Sequence, residues 1–249
     1  MAIQATGNAK NILVGASPLF LSVKDSTTTG YVENMEPGFA GTNGAAAFSA
    51  GVSYTDTLNA DDAKYRNVGY TNNGLQITYN PTYGSVTVDQ LLDTAKLFKE
   101  SMEVMIATEM AEGTLENVLV VFGQGDAATS GTPANDVISA NNTMIESSAT
   151  VDNTYKKTLG IAAGALGVAP TERQLIAVGQ APTQYNATSV SAEERVYYAR
   201  RVLSVQQSQF SLARNNPTTF PVTFRLLPSG LSAYAGQEYG KIIDRVLTA

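Results

Sequence analysis

Three carboxylate pairs are the residues in this sequence whose spacing suggests chemistry. Asp61 and Asp62 are adjacent, Glu193 and Glu194 are adjacent, and Glu109 and Glu112 are separated by two residues. Paired carboxylates can transfer protons or bind a hard cation when further ligands surround them. None of these pairs has the spacing of a known motif, and no companion ligands accompany them. The sequence therefore favours solvated or interfacial carboxylates over an active site.

The remaining composition also argues against catalysis. The chain contains no His and no Cys, so it lacks the commonest general base and any thiolate nucleophile or metal ligand. Gly123 and Gly125 follow a predicted helix instead of joining a strand to one, so they do not fit the dinucleotide-binding fingerprint. We therefore expect no enzymatic activity, no cofactor and no metal.

Arginines in the C-terminal third could bind either a nucleic acid or another subunit. Residues 1–155 carry 6 basic and 17 acidic side chains (−11), whereas residues 156–249 carry 10 and 5 (+5). Tyr197 and Tyr198 lie near several of the arginines and could stack on bases. The acidic total favours pairing between subunits instead. The predicted inter-subunit residues are Asp25, Glu33, Glu36, Arg195, Arg200 and Arg201.

Alternating apolar residues predict several strands between residues 65 and 110. Leu75, Ile77 and Tyr79 would share one face of a strand. The segment 80–84 (NPTYG) predicts a turn, because Pro presets φ and Gly tolerates positive φ. Two runs, 91–99 and 102–110, follow and join near Glu100, although 89–100 also fits helical spacing.

A short amphipathic helix is predicted after these strands, covering one face or edge of the sheet. Its apolar positions follow the i, i+3, i+4, i+7 pattern, and Gly123 is placed to end it. The predicted core-facing residues of the helix are Leu115, Val118, Leu119 and Phe122.

Two tracts rich in Gly, Ser, Thr and Asn interrupt the strands. One is a predicted long loop at about 25–62, in which 45–54 could add a strand, and the other is an elaboration at about 124–191. We predict a single domain over residues 1–249 of a mainly β (α+β) class, with one short flanking helix and long loops. Charged residues make up only 15% of the chain, which is typical of surfaces that pack against neighbouring subunits.

The order of these segments resembles the tail tube (major tail) proteins of long-tailed bacteriophages. The resemblance covers about a quarter of the chain well and the start, NILVGASPLFLS, more loosely. Residues 124–191 match nothing in that family. The segments that carry the resemblance are KYRNVGYT at 64–71, GLQITY at 74–79, VTVDQ at 86–90 and AEGTLEN at 111–117.

The resemblance implies a β-sandwich or barrel-like core in a virion structural protein that forms stacked hexameric rings. The hollow tube would hold the tape measure protein, contact tail terminator and distal tail proteins, and pass double-stranded DNA without reading its sequence. Assembly would take place in the host cytoplasm, and the mature location would be the virion tail. No membrane insertion is expected, because the longest nearly apolar run, 161–169, is too short to span a bilayer.

An acidic or neutral lumen would suit DNA passage, because basic walls would bind phosphates. Alternation puts Glu103 and Glu109 on one strand face, with Glu100 at the adjoining junction, and these three are the candidate lumen-facing residues. The alternative function is a β-rich capsid decoration, connector or surface-attachment protein, which would explain the composition and the missing active site equally well.

Overall fold

A computed structural model describes the β-rich body of the chain and a long hairpin that leaves it. It contains ten strands and two α-helices within the described residues, which are 15, 17–22, 48, 51–60, 65–90, 93–123, 145–147, 157–159, 172–182, 193–205, 208–212, 214–215 and 217–247. The strands are β1 Leu19–Ser22, β2 Tyr65–Asn67, β3 Thr71–Thr87, β4 Thr94–Met110, β5 Ile145–Ser147, β6 Lys157–Leu159, β7 Arg173–Gln180, β8 Glu193–Ser204, β9 Phe220–Leu226 and β10 Gly240–Val246. The helices are α1 Tyr54–Ala60 and α2 Leu115–Val121.

Eight of these strands form one antiparallel sheet, which confirms the prediction of a mainly β protein. The strand order is β2-β1-β7-β8-β9-β4-β3, and β5 pairs separately with β6. Strand β8 pairs with β7 along one edge, and its other edge is divided between β10, which pairs with residues 193–199, and β9, which pairs with residues 202–204. The described strands do not close on themselves, so the sheet has open edges at β2 and β3.

One face of the sheet carries the larger part of the apolar core. Strand β4 alternates as predicted, with Val104, Ile106 and Met110 buried and the intervening side chains half-buried. These residues pack with Phe224 of β9 and Leu175 of β7 in one cluster. Burial of such side chains is worth about 1.5–3 kcal/mol each, so this face supplies much of the stability of the body.

The opposite face is covered near β1, β7 and β8 by helix α1, which the sequence analysis did not predict. Tyr54 and Leu58 are one turn apart on α1 and are both fully buried, in a cluster with Phe20 and Val196. The described residues therefore contain two α-helices where one was predicted. The predicted loop at 25–62 ends in this helix, and the described end of the predicted strand at 45–54 is a turn at Gly51 that leads into it.

Helix α2 forms where a helix was predicted, but its buried face is rotated. Thr114 is its N-cap and accepts a hydrogen bond from the Asn117 amide, while Gly123 (φ +64°) follows its last turn as predicted. Leu119 is buried, whereas Phe122 is 38% exposed. Leu115 and Val118 are half-buried, and the fully buried positions are Asn117, Leu119, Val120 and Val121.

Asn117 explains the rotation of the helix, because its buried side chain links α2 to β2. Its Nδ2 donates to the carbonyl oxygens of Val68 and Glu112, both at 2.9 Å. Its Oδ1 accepts a hydrogen bond from Arg66 Nη1 at 2.7 Å. A polar side chain placed inward by these bonds could not be identified from an apolar stripe.

The predicted turn at residues 80–84 is wrong, because β3 continues through it to Thr87. Pro81 is opposite Met102, on the strand at the end of the sheet order, and edge strands tolerate proline. Gly84 serves packing instead of a turn: a Cβ there would lie 2.6 Å from the Phe98 ring. Strand β4 is likewise continuous, and Glu100 is the extra residue of a bulge, since Thr82 pairs with Ser101 and Tyr83 with Lys99.

The predicted elaboration at 124–191 includes a central strand of the domain. Strand β7, Arg173–Gln180, lies between β1 and β8 in the main sheet and is buried over most of its length. The described part of the stretch 124–191 thus includes residues 173–180 of the main sheet. Most of 124–171 and of 23–50 falls outside the described residues, so their loop predictions were not tested.

Candidate functional site

The distal half of the β3–β4 hairpin is the most unusual surface of the described chain, and we call residues 80–87 and 94–101 the arm. Among the described strands, the two segments pair only within the β3–β4 hairpin. Side chains are exposed on both faces of the arm, although several are large and apolar. Leu97 is 65% exposed, Phe98 47%, Tyr83 59% and Val86 43%. Exposed apolar residues grouped in this way are typical of an interaction surface.

The register separates the apolar side chains of the arm into two faces. Tyr83 and Leu97 lie on the side that carries the apolar core, since Tyr83 follows Ile77 and Tyr79 by even numbers of residues. Phe98 and Val86 point to the other side, because Phe98 adjoins Leu97 and Val86 is an odd number of residues from Tyr83. The arm therefore presents apolar surface in two opposite directions.

An apolar groove lies where the arm joins the body. It has a volume of about 260 Å³ and is bounded on one side by β3 and β4 and on the other by β8 and β10. The exposed side chains at its mouth include Ile77 (47%), Tyr79 (57%) and Ile242 (63%). Lys99 lies over the Tyr79 ring at 5.6 Å and marks where the groove continues onto the arm. We call this feature the groove.

The three candidate lumen-facing glutamates do not lie in one environment. Glu103 and Glu109 share a strand face, as predicted, and both are half-buried. Glu103 Oε1 lies 3.6 Å from Arg225 Nη1, and Glu109 accepts a hydrogen bond from Asn72 Nδ2 at 3.2 Å. Glu100 is exposed at the bulge of the arm. Their assignment to a lumen stays a prediction.

The predicted inter-subunit arginines all have contacts within their own chain. Arg195 forms a two-pronged ion pair with Asp244, at 2.5 and 2.7 Å. This hydrogen-bonded pairing lowers the pKa of Asp244 and raises the pKa of Arg195. Arg201 binds both oxygens of Glu172 at 2.7 and 2.8 Å. An inter-subunit role for Arg195 and Arg201 remains a prediction, and Asp25, Glu33 and Glu36 lie outside the described residues.

Arg200, which was predicted as an inter-subunit residue, is 1% exposed and packs inside its own subunit. Its guanidinium lies 3.6 Å from the centre of the Tyr234 ring and 5.4 Å from that of Tyr198. Its Nε donates to the Gln237 carbonyl oxygen at 3.0 Å. A planar guanidinium stacks on aromatic rings better than an ammonium does, so this packing explains why the position holds an arginine and not a lysine.

Glu194 is the important polar residue that the sequence analysis misjudged as solvated. It is 5% exposed and accepts hydrogen bonds from the Tyr54 amide at 2.9 and 3.0 Å and from Ser53 Oγ at 3.1 Å. Arg245 Nε lies 2.9 Å from Glu194 Oε1, and the guanidinium covers the Phe48 ring. Glu194 thus caps α1 and joins it to β8 and β10. Glu194 is two residues from the inward-facing Val196, so strand alternation puts both side chains on the same face of β8. This spacing was the signal in the sequence that Glu194 is buried.

The other carboxylate pairs do not form a site in the described part of the chain. Glu112 accepts a hydrogen bond from the Tyr70 amide at 3.0 Å, and Glu109 faces Asn72 instead. Asp61 and Asp62 are not among the described residues. Within the described ranges, no group of three or more acidic side chains is arranged to hold a metal ion. The two described α-helices, at seven residues each, are too short to cross a membrane.

Comparison with known proteins assigns this chain to no family. No protein-family model matches the sequence, and no curated protein is significantly similar to it. The arm and the groove are therefore the features from which a function must be argued.

Proposed function

We propose that this chain is a structural subunit that assembles with copies of itself into stacked hexameric rings, the hollow tail tube of a bacteriophage particle. The observation that carries the proposal is the arm, a paired extension with apolar side chains exposed on both faces. An apolar, unpaired edge of this kind is an aggregation hazard in a monomer. A protein that assembles through such an extension removes the hazard by covering it.

The open sheet supports the same proposal. Strand β3 is at one end of the strand order, and β10 pairs with β8 alone among the described strands. Strands of neighbouring subunits would extend the sheet through these edges, and the eight-stranded sheet would be half of a β-sandwich or barrel-like wall. The low charge content of 15% suits a chain whose surface is largely shared between subunits.

The proposed activity of the assembly is conduction and not catalysis. The tube would hold the tape measure protein during assembly, contact tail terminator and distal tail proteins at its ends, and pass double-stranded DNA during infection. Glu103 and Glu109 share a sheet face, and Arg225 lies 3.6 Å from Glu103 and partly offsets its charge. A wall without excess positive charge would leave the phosphates of the DNA unbound.

Electron microscopy of the purified protein tests the proposal directly. We expect negatively stained rings or hollow tubes, and light scattering after gel filtration should give a hexamer or larger species. A variant with Leu97→Lys and Phe98→Lys serves as the control, because it should keep its far-UV circular dichroism and lose the assemblies. Monomers or trimers at high concentration would contradict the tube and favour a decoration, connector or surface-attachment protein.

A further inference from the structure

The arm and the groove are two complementary apolar surfaces of one chain, but they cannot pack against each other within the same subunit. Phe98 and Val86 lie on the arm face that points away from the groove of the same subunit. Phe98 is 47% exposed and Val86 43%, so their own chain leaves them largely uncovered. The groove mouth is likewise open at Ile242, which is 63% exposed. Two unfilled apolar surfaces therefore face different directions.

We propose that the arm of one subunit docks in the groove of the next, with Phe98 and Val86 packed against Tyr79 and Ile242. The proposal rests on the proposed self-assembly and identifies its contact surfaces. The groove, at about 260 Å³, has room for a large apolar side chain, and its lining is mainly aliphatic and aromatic. The arm segment 80–87 extends about 27 Å at the rise of a β-strand, which is enough to reach past its own body.

A second copy fits this surface better than an unrelated partner. A partner that filled only the groove would leave Phe98 and Val86 exposed on the other side of the arm. Identical chains cover both, because each subunit inserts its arm into one neighbour and receives the arm of another. Apolar packing of this kind supplies the affinity at the centre of an interface, where aromatic side chains contribute most.

The geometry of this contact is head-to-tail. The donor surface (Phe98 and Val86) and the acceptor surface (Tyr79 and Ile242) are different residues, and each subunit gives its arm to one neighbour and receives the arm of another, so the proposed contact is heterologous. Heterologous contacts close into rings or continue as filaments, whereas a two-fold contact would stop at a dimer. The docked arm would thus determine the form of the assembly as well as its stability.

Cross-linking between single-cysteine chains tests the docking, since the native sequence contains no Cys. Chains carrying Phe98→Cys are mixed with chains carrying Ile242→Cys and treated with a short bismaleimide. We expect cross-linked dimers in about tenfold excess over a control mixture, because docking raises the effective concentration of the two thiols. The control replaces Ile242→Cys by Tyr70→Cys, which is 82% exposed at the far end of β3. Val86→Cys takes the place of Phe98→Cys if that chain fails to fold.

A chain carrying both Phe98→Cys and Ile242→Cys tests the head-to-tail geometry. A ladder of trimers and larger products supports it, and products limited to dimers overturn it. Tubes in the microscope without the Phe98–Ile242 product would overturn the docking and leave the proposed function standing. Cross-linked ladders without rings or tubes would support the docking and overturn the tube, and the absence of both would overturn both.

Discussion

Strands β3 and β4 belong to two regions of different physical character. Near the body, β4 alternates strictly, with Val104, Ile106 and Met110 buried and their neighbours half-buried. Along the arm the same two strands are exposed on both faces, yet Leu97 and Phe98 are as apolar as the core residues. Apolar side chains that find no burial within the chain gain stability only through a neighbour. The contrast separates residues that fold the subunit from residues available to join it to others.

The body is held by contacts that the arm does not share. Its apolar cluster draws on β1, β4, β7, β8, β9 and α2, and the Glu194–Arg245 pair ties α1 to two strands. The arm is held by its own ladder, in which β3 pairs with β4 alone. Changes in the body should therefore alter the free energy of unfolding, while changes in the arm should alter assembly.

Removing a buried carboxylate should produce the largest effect on stability. Glu194→Ala removes the carboxylate that binds Arg245 and caps α1, so we expect a loss of about 3–5 kcal/mol in the free energy of unfolding. Glu100→Ala on the arm is the matched control, because Glu100 is exposed. Urea unfolding measures both. Equal effects of the two substitutions would mean that body and arm do not differ as described.

Substitution of one leucine in the core and one in the arm compares the two regions directly. Leu119→Ala removes a fully buried side chain of α2 and should cost about 2–5 kcal/mol of stability. Leu97→Ala changes a side chain that is 65% exposed, so the stability of the monomer should change by about 0.5 kcal/mol or less. Unfolding in urea measures stability, and light scattering measures assembly. If Leu97→Ala destabilised the monomer as much as Leu119→Ala, the distinction between a body that stabilises the fold and an arm that acts in assembly would be contradicted.

Periodicity predicted the parts of this fold in which one face is buried. The alternation of 102–110 predicted the correct strand and inward face, because burial of a single face imposes a period of two. The same rule failed on the arm, where neither face is buried and Pro81 and Gly84 indicated a turn. An extended edge strand and a turn use the same residues, and distant pairing decides between them.

The environment of polar residues was the other feature that could not be predicted from the sequence, because their partners are distant along the chain. Glu194 is 140 residues from the Tyr54 amide that it caps, so adjacency to Glu193 was a misleading guide. Arg200 was predicted as an inter-subunit residue, and its packing inside the subunit was missed because its aromatic partner, Tyr234, is brought over it only by the return of β10 along β8. The groove also depends on that return, and no local pattern indicates it.

Amide exchange should distinguish the two halves of β4 within one strand. In the monomer we expect the amides of 94–99 to exchange faster than those of 104–109, because the arm opens without disturbing the apolar cluster. Hydrogen–deuterium exchange with mass spectrometry measures both segments together. On assembly, protection should rise in the arm and change little in the body. Uniform protection along β4 before assembly would show that the arm is part of the same cooperative unit.

The smallest expected effect comes from the ion pair on the surface of the body. Arg195 lowers the pKa of Asp244 in the folded state, so their interaction stabilises the fold above the ordinary carboxyl pKa of about 3.9 and is lost as the pH falls through the lowered value. Asp244→Asn should therefore cost about 0.2–1 kcal/mol at pH 7, as exposed pairs do, and progressively less in acid.

Unfolding in urea over a series of pH values measures both the size of the stability loss caused by Asp244→Asn and the direction in which that loss changes with pH. Asp93→Asn, immediately before the arm segment 94–101, is the matched control, since the described contact of Asp93 is the amide of its own neighbour, Thr94. A difference between native and Asp244→Asn protein that grows on acidification would contradict the assignment. A difference of several kcal/mol at neutral pH would instead place Asp244 with Glu194 among the residues that hold the body together. Arg195 would then be committed to its own subunit, and the inter-subunit contact would rest on the apolar arm alone.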